Sequence, residues 1–154
     1  MAGSVVVRDR GAAKLVQTIT DPSKAVVDVG VIGSAGDAQA QDGEFTVAQL
    51  AEWHEFGVGV PQRSFLRAWA DAETAKIEQV IRGLTKRIIE GKLTREQALE
   101  QFGAWAAGQV QAFISAGRVV PPLDPTTIAR KGSSIPLIDT GQLRQSITYE
   151  VRPG

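Results

Sequence analysis

Apolar positions along this chain change their period several times, and each change marks an element. Ala12, Leu15, Val16 and Ile19 recur at helical spacing, which predicts a short amphipathic helix from about Arg8, with Val5-Val6-Val7 as a competing short strand. Asp21-Pro22 ends it, because proline has no N–H to donate and aspartate favours turns. Val27, Val29 and Val31 then alternate with Val26, Asp28 and Gly30, the pattern of a β-branched strand. Residues 33–44 (GSAGDAQAQDGE) lose all apolar period and read as a mobile loop. Helical spacing returns in Phe45–Phe56, with Thr46 as N-cap and Val47, Leu50, Trp53 and His54 on one face. Gly57-Val58-Gly59-Val60-Pro61 stops that helix.

The longest pattern runs from Ser64, a natural N-cap, to Glu90. Phe65, Leu66, Trp69, Ile77, Val80, Ile81, Leu84 and Ile88 make one stripe of period 3.6, and Gly91 closes it. Thr94 and Gln97 fit a capping box opening the next helix, whose stripe is Leu99, Phe102, Ala106, Val110 and Phe113. The short link between the two helices predicts an antiparallel hairpin. Residues 119–136 read as loop, with one helical turn opened by Asp124-Pro125-Thr126. A short helix capped at Thr140 runs to about Gln145, and Ser146–Arg152 alternates as a second strand. The fold class expected is α+β: a small antiparallel sheet packed with a long helix and a helical hairpin, in a single domain over residues 1–154.

Composition narrows the chemistry. The 154 residues contain no cysteine and one histidine, His54, which excludes disulfides, thiolate catalysis and cysteine- or histidine-rich metal clusters within one chain. No apolar run approaches a membrane span, and the first residues do not read as a signal peptide, so the expectation is a soluble protein made inside the cell, with no membrane partner and no cofactor.

Three short motifs suggest enzymes and fail on inspection. Leu137-Ile138-Asp139-Thr140-Gly141 is the apolar-then-DTG pattern of aspartic proteases, in which two aspartates share a proton. Gln142 stands where those enzymes carry Ser or Ala, and 13 residues after Gly141 leave no room for a flap. Gly30, Gly33 and Gly36 follow a strand but lack the spacing and the Lys-Ser/Thr of a phosphate loop. His54-Glu55 begins like HExxH, but Val58 replaces the second histidine. No catalytic constellation remains.

Charge is more informative. Seventeen basic and seventeen acidic side chains cancel, yet they are segregated. Between Lys24 and Arg63 there is no Lys or Arg, while Asp28, Asp37, Asp42, Glu44, Glu52 and Glu55 all fall there. From Lys76 to Arg95 six basic residues, including Arg82, Lys86 and Arg87, face only Glu78 and Glu90. An acidic surface meeting a basic surface on another copy is a head-to-tail arrangement, which closes into a ring when the rotation allows. Asp42, Glu44, Glu52, Glu55, Arg82, Lys86 and Arg87 are the candidate subunit contacts.

Two segments together resemble a known group. Trp53-His54-Glu55-Phe56-Gly57 followed by Val60-Pro61-Gln62-Arg63-Ser64-Phe65-Leu66-Arg67, and later Pro121-Pro122-Leu123, residues 126–132 and Pro136–Ile147 (PLIDTGQLRQSI), resemble segments of tailed-bacteriophage neck and tail-completion proteins, also described as virion morphogenesis or minor tail components. The order and spacing cover about residues 51–151. Carried over residue by residue, the signature comprises His54, Glu55, Phe56, Gly57, Pro61, Arg63, Phe65, Leu66, Asp139, Thr140, Gly141, Leu143 and Ser146. The resemblance implies mechanical roles for them: Phe56, Phe65, Leu66 and Trp69 anchoring the long helix to the sheet, and Asp139, Thr140 and Gly141 setting the helix before the last strand.

The resemblance implies a non-enzymatic virion protein at the head–tail junction or the head-proximal end of the tail. It would be a homo-oligomeric ring, six copies favoured and twelve the alternative, touching connector or tail-tube proteins and enclosing DNA without sequence specificity. It would be made in the host cytoplasm. The competing readings are a DNA-associated or toxin–antitoxin-like accessory module and, last, a small Asp139-dependent hydrolase.

Overall fold

The structure, a computed structural model, describes residues 25–40, 43–131, 134–137 and 141–153. The element expected near residues 8–20 lies outside these. Strand β1 (Val26–Val31) is followed by α1 (Gly33–Asp37), α2 (Val47–Phe56), α3 (Leu66–Ala72), α4 (Thr74–Ile89), α5 (Arg95–Ser115), α6 (Pro125–Lys131), α7 (Gln142–Gln145) and strand β2 (Ile147–Arg152). The fold is α+β, as the periodicities imply. β1 and β2 form a two-stranded antiparallel sheet in which Val31 pairs with Ile147 and Val26 with Arg152. Asp28 sits diagonally from Arg152 and forms an ion pair with it across the strands.

The sheet lies on α5, the longest helix. Phe65 and Trp69 from the α3 region meet Val110, Phe113 and Ile114 of α5, with Val47 of α2, Leu143 of α7 and Ile147 of β2 in the same core. One position makes the sheet's approach close. A Cβ at Gly103 would sit 2.6 Å from Tyr149 Cγ and 2.8 Å from Val27 Cγ2, so both strands rest on bare backbone there. Gly108, five residues on and so turned to the other side of the helix, faces open space. The two glycines therefore separate propensity from packing. Gly108→Ala should gain up to about 1 kcal/mol of stability. Gly103→Ala should lose about 1–3 kcal/mol through overpacking. Thermal melts that move both variants in the same direction would refute this placement of the sheet.

The capping box expected at Thr94 and Gln97 forms, and Thr46, expected as an N-cap, makes a second box with Gln49. Thr46 and Gln49 close the start of α2, and Thr94 and Gln97 that of α5, each pair satisfying two backbone N–H groups reciprocally. The α4–α5 hairpin is present, but the continuous helix expected from Ser64 to Glu90 is not. It divides at Glu73, where φ is −111° and ψ is 15°. Thr74 contributes to the break, since its hydroxyl donates to the carbonyls of Ala70 and Asp71 and competes with the helical ladder. Nor is Ser64 the cap of the first piece; its hydroxyl is turned to Glu55.

Two further segments differ from the expected loops. Residues 33–40 are ordered, not open loop: α1 packs on α2, Gln39 bridges Thr46, and Ala40 is buried. Small residues make this possible, because Gly36 lies where a Cβ would be 3.0 Å from the Val31 carbonyl oxygen. Residues 41–42 lie outside the described set. The segment 119–136 holds the seven-residue α6 as well as loop, with Asp124 accepting hydrogen bonds from the backbone N–H and hydroxyl of Thr126.

Candidate functional site

Glu55 is the centre of the first signature segment. It lies on α2 one residue before the helix end, and its side chain points inward, leaving the residue 6 % exposed. One carboxylate oxygen accepts from the backbone N–H of Phe65 at 2.8 Å and of Leu66 at 3.0 Å. The other accepts from Arg67 N–H at 3.1 Å and from the Ser64 hydroxyl. These N–H groups belong to the first turn of α3, which has no cap of its own. A carboxylate eleven residues upstream of Leu66 therefore caps α3, and the positive end of the helix favours its charge. Burial pushes the Glu55 carboxyl up. The Ser64 hydroxyl and the N–H groups of Leu66, Arg67 and Phe65 outweigh that, so it lies below the usual carboxylate range.

The turn between α2 and α3 is built for this reach. Gly57 adopts a left-handed φ of 76° and donates its N–H to Trp53 O at 2.7 Å. A Cβ there would meet Gln62 Cβ at 2.9 Å, so the position is restricted by both conformation and space. Gln62 Nε2 donates to the Glu55 carbonyl, and Arg63 N–H to the His54 carbonyl at 2.7 Å.

Arg63 ties the two signature segments together. Its Nε donates to Pro121 O at 3.0 Å and its Nη2 to Pro122 O at 3.4 Å. His54, Val60, Pro61 and Arg63 from the first segment line one cleft with Leu123 and Leu137 from the second. Leu143 and Ile147 extend the second segment into the core beside Phe65. Ser146 is buried and closes α7 through its N–H to Gln142 O, and Gly141 precedes that helix. Asp139 and Thr140 lie outside the described residues.

Two assignments change. Phe56 does not anchor the long helix: it is 59 % exposed, because Glu55 and Ala51 occupy the inward face of α2 and Phe56 falls on the outer one. Glu55 is not a subunit contact, since its carboxylate is consumed inside the subunit. The acidic surface shrinks accordingly. Asp28 is paired with Arg152, Asp42 is outside the described residues, and Asp37, Glu44 and Glu52 remain exposed. Arg82, Lys86 and Arg87 are exposed on α4. Arg82 pairs with Glu78 at 3.2 Å, Lys86 lies 3.9 Å from Glu90, and Arg87 reaches Gln101 of α5 at 2.9 Å. Exposed pairs of this kind add little to stability and leave the charge on the surface.

Among the described residues no group of three or more His, Asp or Glu is placed to hold a metal ion, and no helix is long and apolar enough to cross a membrane. Sequence reasoning missed the capping role of Glu55. The available signal was a glutamate bracketed by apolar positions at the end of an apolar helix face. Compared with family models, curated proteins and solved structures, the chain matches none.

Proposed function

We propose that this chain is a structural assembly protein that completes its packing against other subunits. The observation that carries this is α4. It is 16 residues long with an apolar stripe, and none of its residues is buried. Ile77, Val80, Leu84 and Ile88 are half-covered by the subunit's own hairpin, while Ile81 and Ile89 stand in solvent. A helix of this pattern normally buries its stripe, so a partner surface is missing.

The particular place we propose is the neck of a tailed bacteriophage or the head-proximal end of its tail, as a ring of identical subunits around the DNA channel, six copies favoured. The support is the resemblance of the two signature segments, together with their spatial union through Arg63 and the shared cleft. Bore DNA would pass without sequence-specific contacts and be held only weakly, because a chain of zero net charge releases few counterions from the phosphates. The basic face of the hairpin would guide docking more than it would add affinity.

Reversing the charge of Arg82, Lys86 and Arg87 to Glu should leave the subunit folded and leave heads and tails unjoined in infected cells. Normal joining with the triple variant would refute charge-guided docking. A virion reconstruction with no ring of this chain at the neck or tail end would refute the placement. The accessory-module reading would instead be favoured by tight, salt-sensitive DNA binding of the isolated protein.

A further inference from the structure

α4, α5 and the start of β1 leave an apolar groove of about 330 Å³. One wall is the stretch of α4 from Ile81 to Ile88, and the other is the stretch of α5 from Arg95 to Phe102. On each wall the lining residues recur every three or four positions, so each presents one helical stripe about 10 Å long at 1.5 Å per residue. Leu84, Ile88, Leu99 and Phe102 are only half-covered, and Ile81 is exposed. An apolar surface of helical period therefore stands open between two helices.

The chain itself arrives at this groove. Val27 lines it, and Arg95, in its wall, donates from Nη2 to the Ala25 carbonyl at 3.1 Å. Ala25, the first described residue, is buried there. The 24 residues before it lie outside the described set. Among them Ala12, Leu15, Val16 and Ile19 recur at three and four positions over the same span as each wall, which is the anchor pattern of a helix laid in a groove. The link from Thr20 to Ala25 reaches about 17 Å when extended, while packed helix axes lie about 8–10 Å apart. The tether is thus long enough to lay the segment in the groove it leaves from. The hairpin mixes its basic residues with Glu78, Glu90, Glu96 and Glu100, so apolar fit and tether length, not charge, select the occupant.

We propose that residues 12–19 dock as an amphipathic helix in the α4–α5 groove of their own subunit, with Leu15, Val16 and Ile19 as the anchors. The occupant is the chain's own N-terminal segment. This goes beyond the assembly reading: the chain supplies part of the surface that α4 lacks, and Phe56, Val58, Ile89 and Val120 stay exposed for neighbouring subunits.

The absence of native cysteine makes the test direct. The full chain carrying Ala13→Cys and Thr85→Cys, treated in dilute solution with a short bismaleimide, should give a bridged monomer as its main product, in a yield independent of protein concentration. Adding Leu15→Asp and Ile19→Asp should cut that yield at least about tenfold. The same pair of substitutions in the otherwise native chain should speed amide hydrogen exchange between Ile81 and Ile88 by a similar factor, while β1 and β2 stay protected. Gln17→Asp, on the opposite face of the segment, should change neither readout. Bridged dimers in place of bridged monomers would put a second copy in the groove and overturn the docking. No bridge at all, or a bridge indifferent to Leu15→Asp and Ile19→Asp, would overturn it as well. A virion ring in which a neighbouring subunit fills the groove would overturn the docking and spare the assembly reading. A bridged monomer from a protein that joins no particle would uphold the docking and refute the assembly reading.

Discussion

Glu55→Ala should cost about 3–4 kcal/mol of stability at neutral pH, although the residue touches no ligand. The carboxylate satisfies the N–H groups of Phe65, Leu66 and Arg67 and the Ser64 hydroxyl. Each hydrogen bond to a charged group contributes about 1.5–3 kcal/mol, and a buried donor left without a partner costs about 1–3 kcal/mol. The Phe65 N–H is buried, while those of Leu66 and Arg67 are half-covered and recover part of the loss. Glu55→Gln should also destabilise, because one amide oxygen replaces two carboxylate oxygens and its NH₂ faces donors. The pH profile supplies a second reading. The folded-state pKa is depressed, so the contribution is complete above the unfolded value, about 4.3, and is lost as pH falls through the lower folded value. The stability difference between wild type and Glu55→Gln should therefore be largest near neutrality and shrink below about pH 4.3. Denaturant titrations that give a difference independent of pH would show that the charge is not what caps α3.

Trp69→Ala should cost about 3–5 kcal/mol, the range for deleting a buried large aromatic. Trp69 is 7 % exposed, belongs to the central core, and packs on Trp105 with ring centroids 6.1 Å apart. Phe102 also packs on Trp105, with ring centroids 5.6 Å apart, but is half-buried and lines the hairpin groove. Phe102→Ala should therefore cost clearly less, about 1–3 kcal/mol. Trp69→Phe is the informative intermediate. The buried indole N–H has no hydrogen-bond partner among the described residues, so removing it relieves an unpaired donor while leaving a smaller void than alanine would. Its cost should fall well below that of Trp69→Ala. Equal losses for Trp69→Ala and Phe102→Ala in chemical denaturation would refute the core assigned to the α3–α5 contact.

Elements whose identity rests on local chemistry were legible in the amino-acid order. Thr46 with Gln49 and Thr94 with Gln97 carry their caps within four residues, so both helix starts could be placed. The alternation of Val27, Val29 and Val31 and of Ile147, Tyr149 and Val151 marked the two strands. What could not be read depends on residues distant in sequence. The start of α3 looks like Ser64 until Glu55 arrives from another helix to take the hydroxyl. The break at Glu73 joins two halves of one uninterrupted apolar stripe, and periodicity is blind to it. Gly103 looks like a defect in a helix until Tyr149 and Val27 come to rest on it. Phe56 looks like core by hydrophobicity, and only the inward turn of its neighbour Glu55 places it outside. The motif residues of the two segments do meet in space, through Arg63 and a shared cleft, while the division between inward and outward members of that motif was hidden.

The pairing of β1 with β2 has a consequence in time. The closest paired residues, Val31 and Ile147, are separated by more than a hundred positions. Translation at about 5–20 residues per second means that β1 waits on the order of 10 s on the ribosome before its partner exists. Two strands form a marginal sheet even when complete, and this one depends on α5 beneath it. Throughout that interval the valine-rich edge of β1 is an unpaired template for any other extended chain. High-level synthesis, with many nascent chains presenting the same edge at once, is therefore the condition under which this molecule is most exposed to aggregation, and slower translation or a holding chaperone should improve its yield.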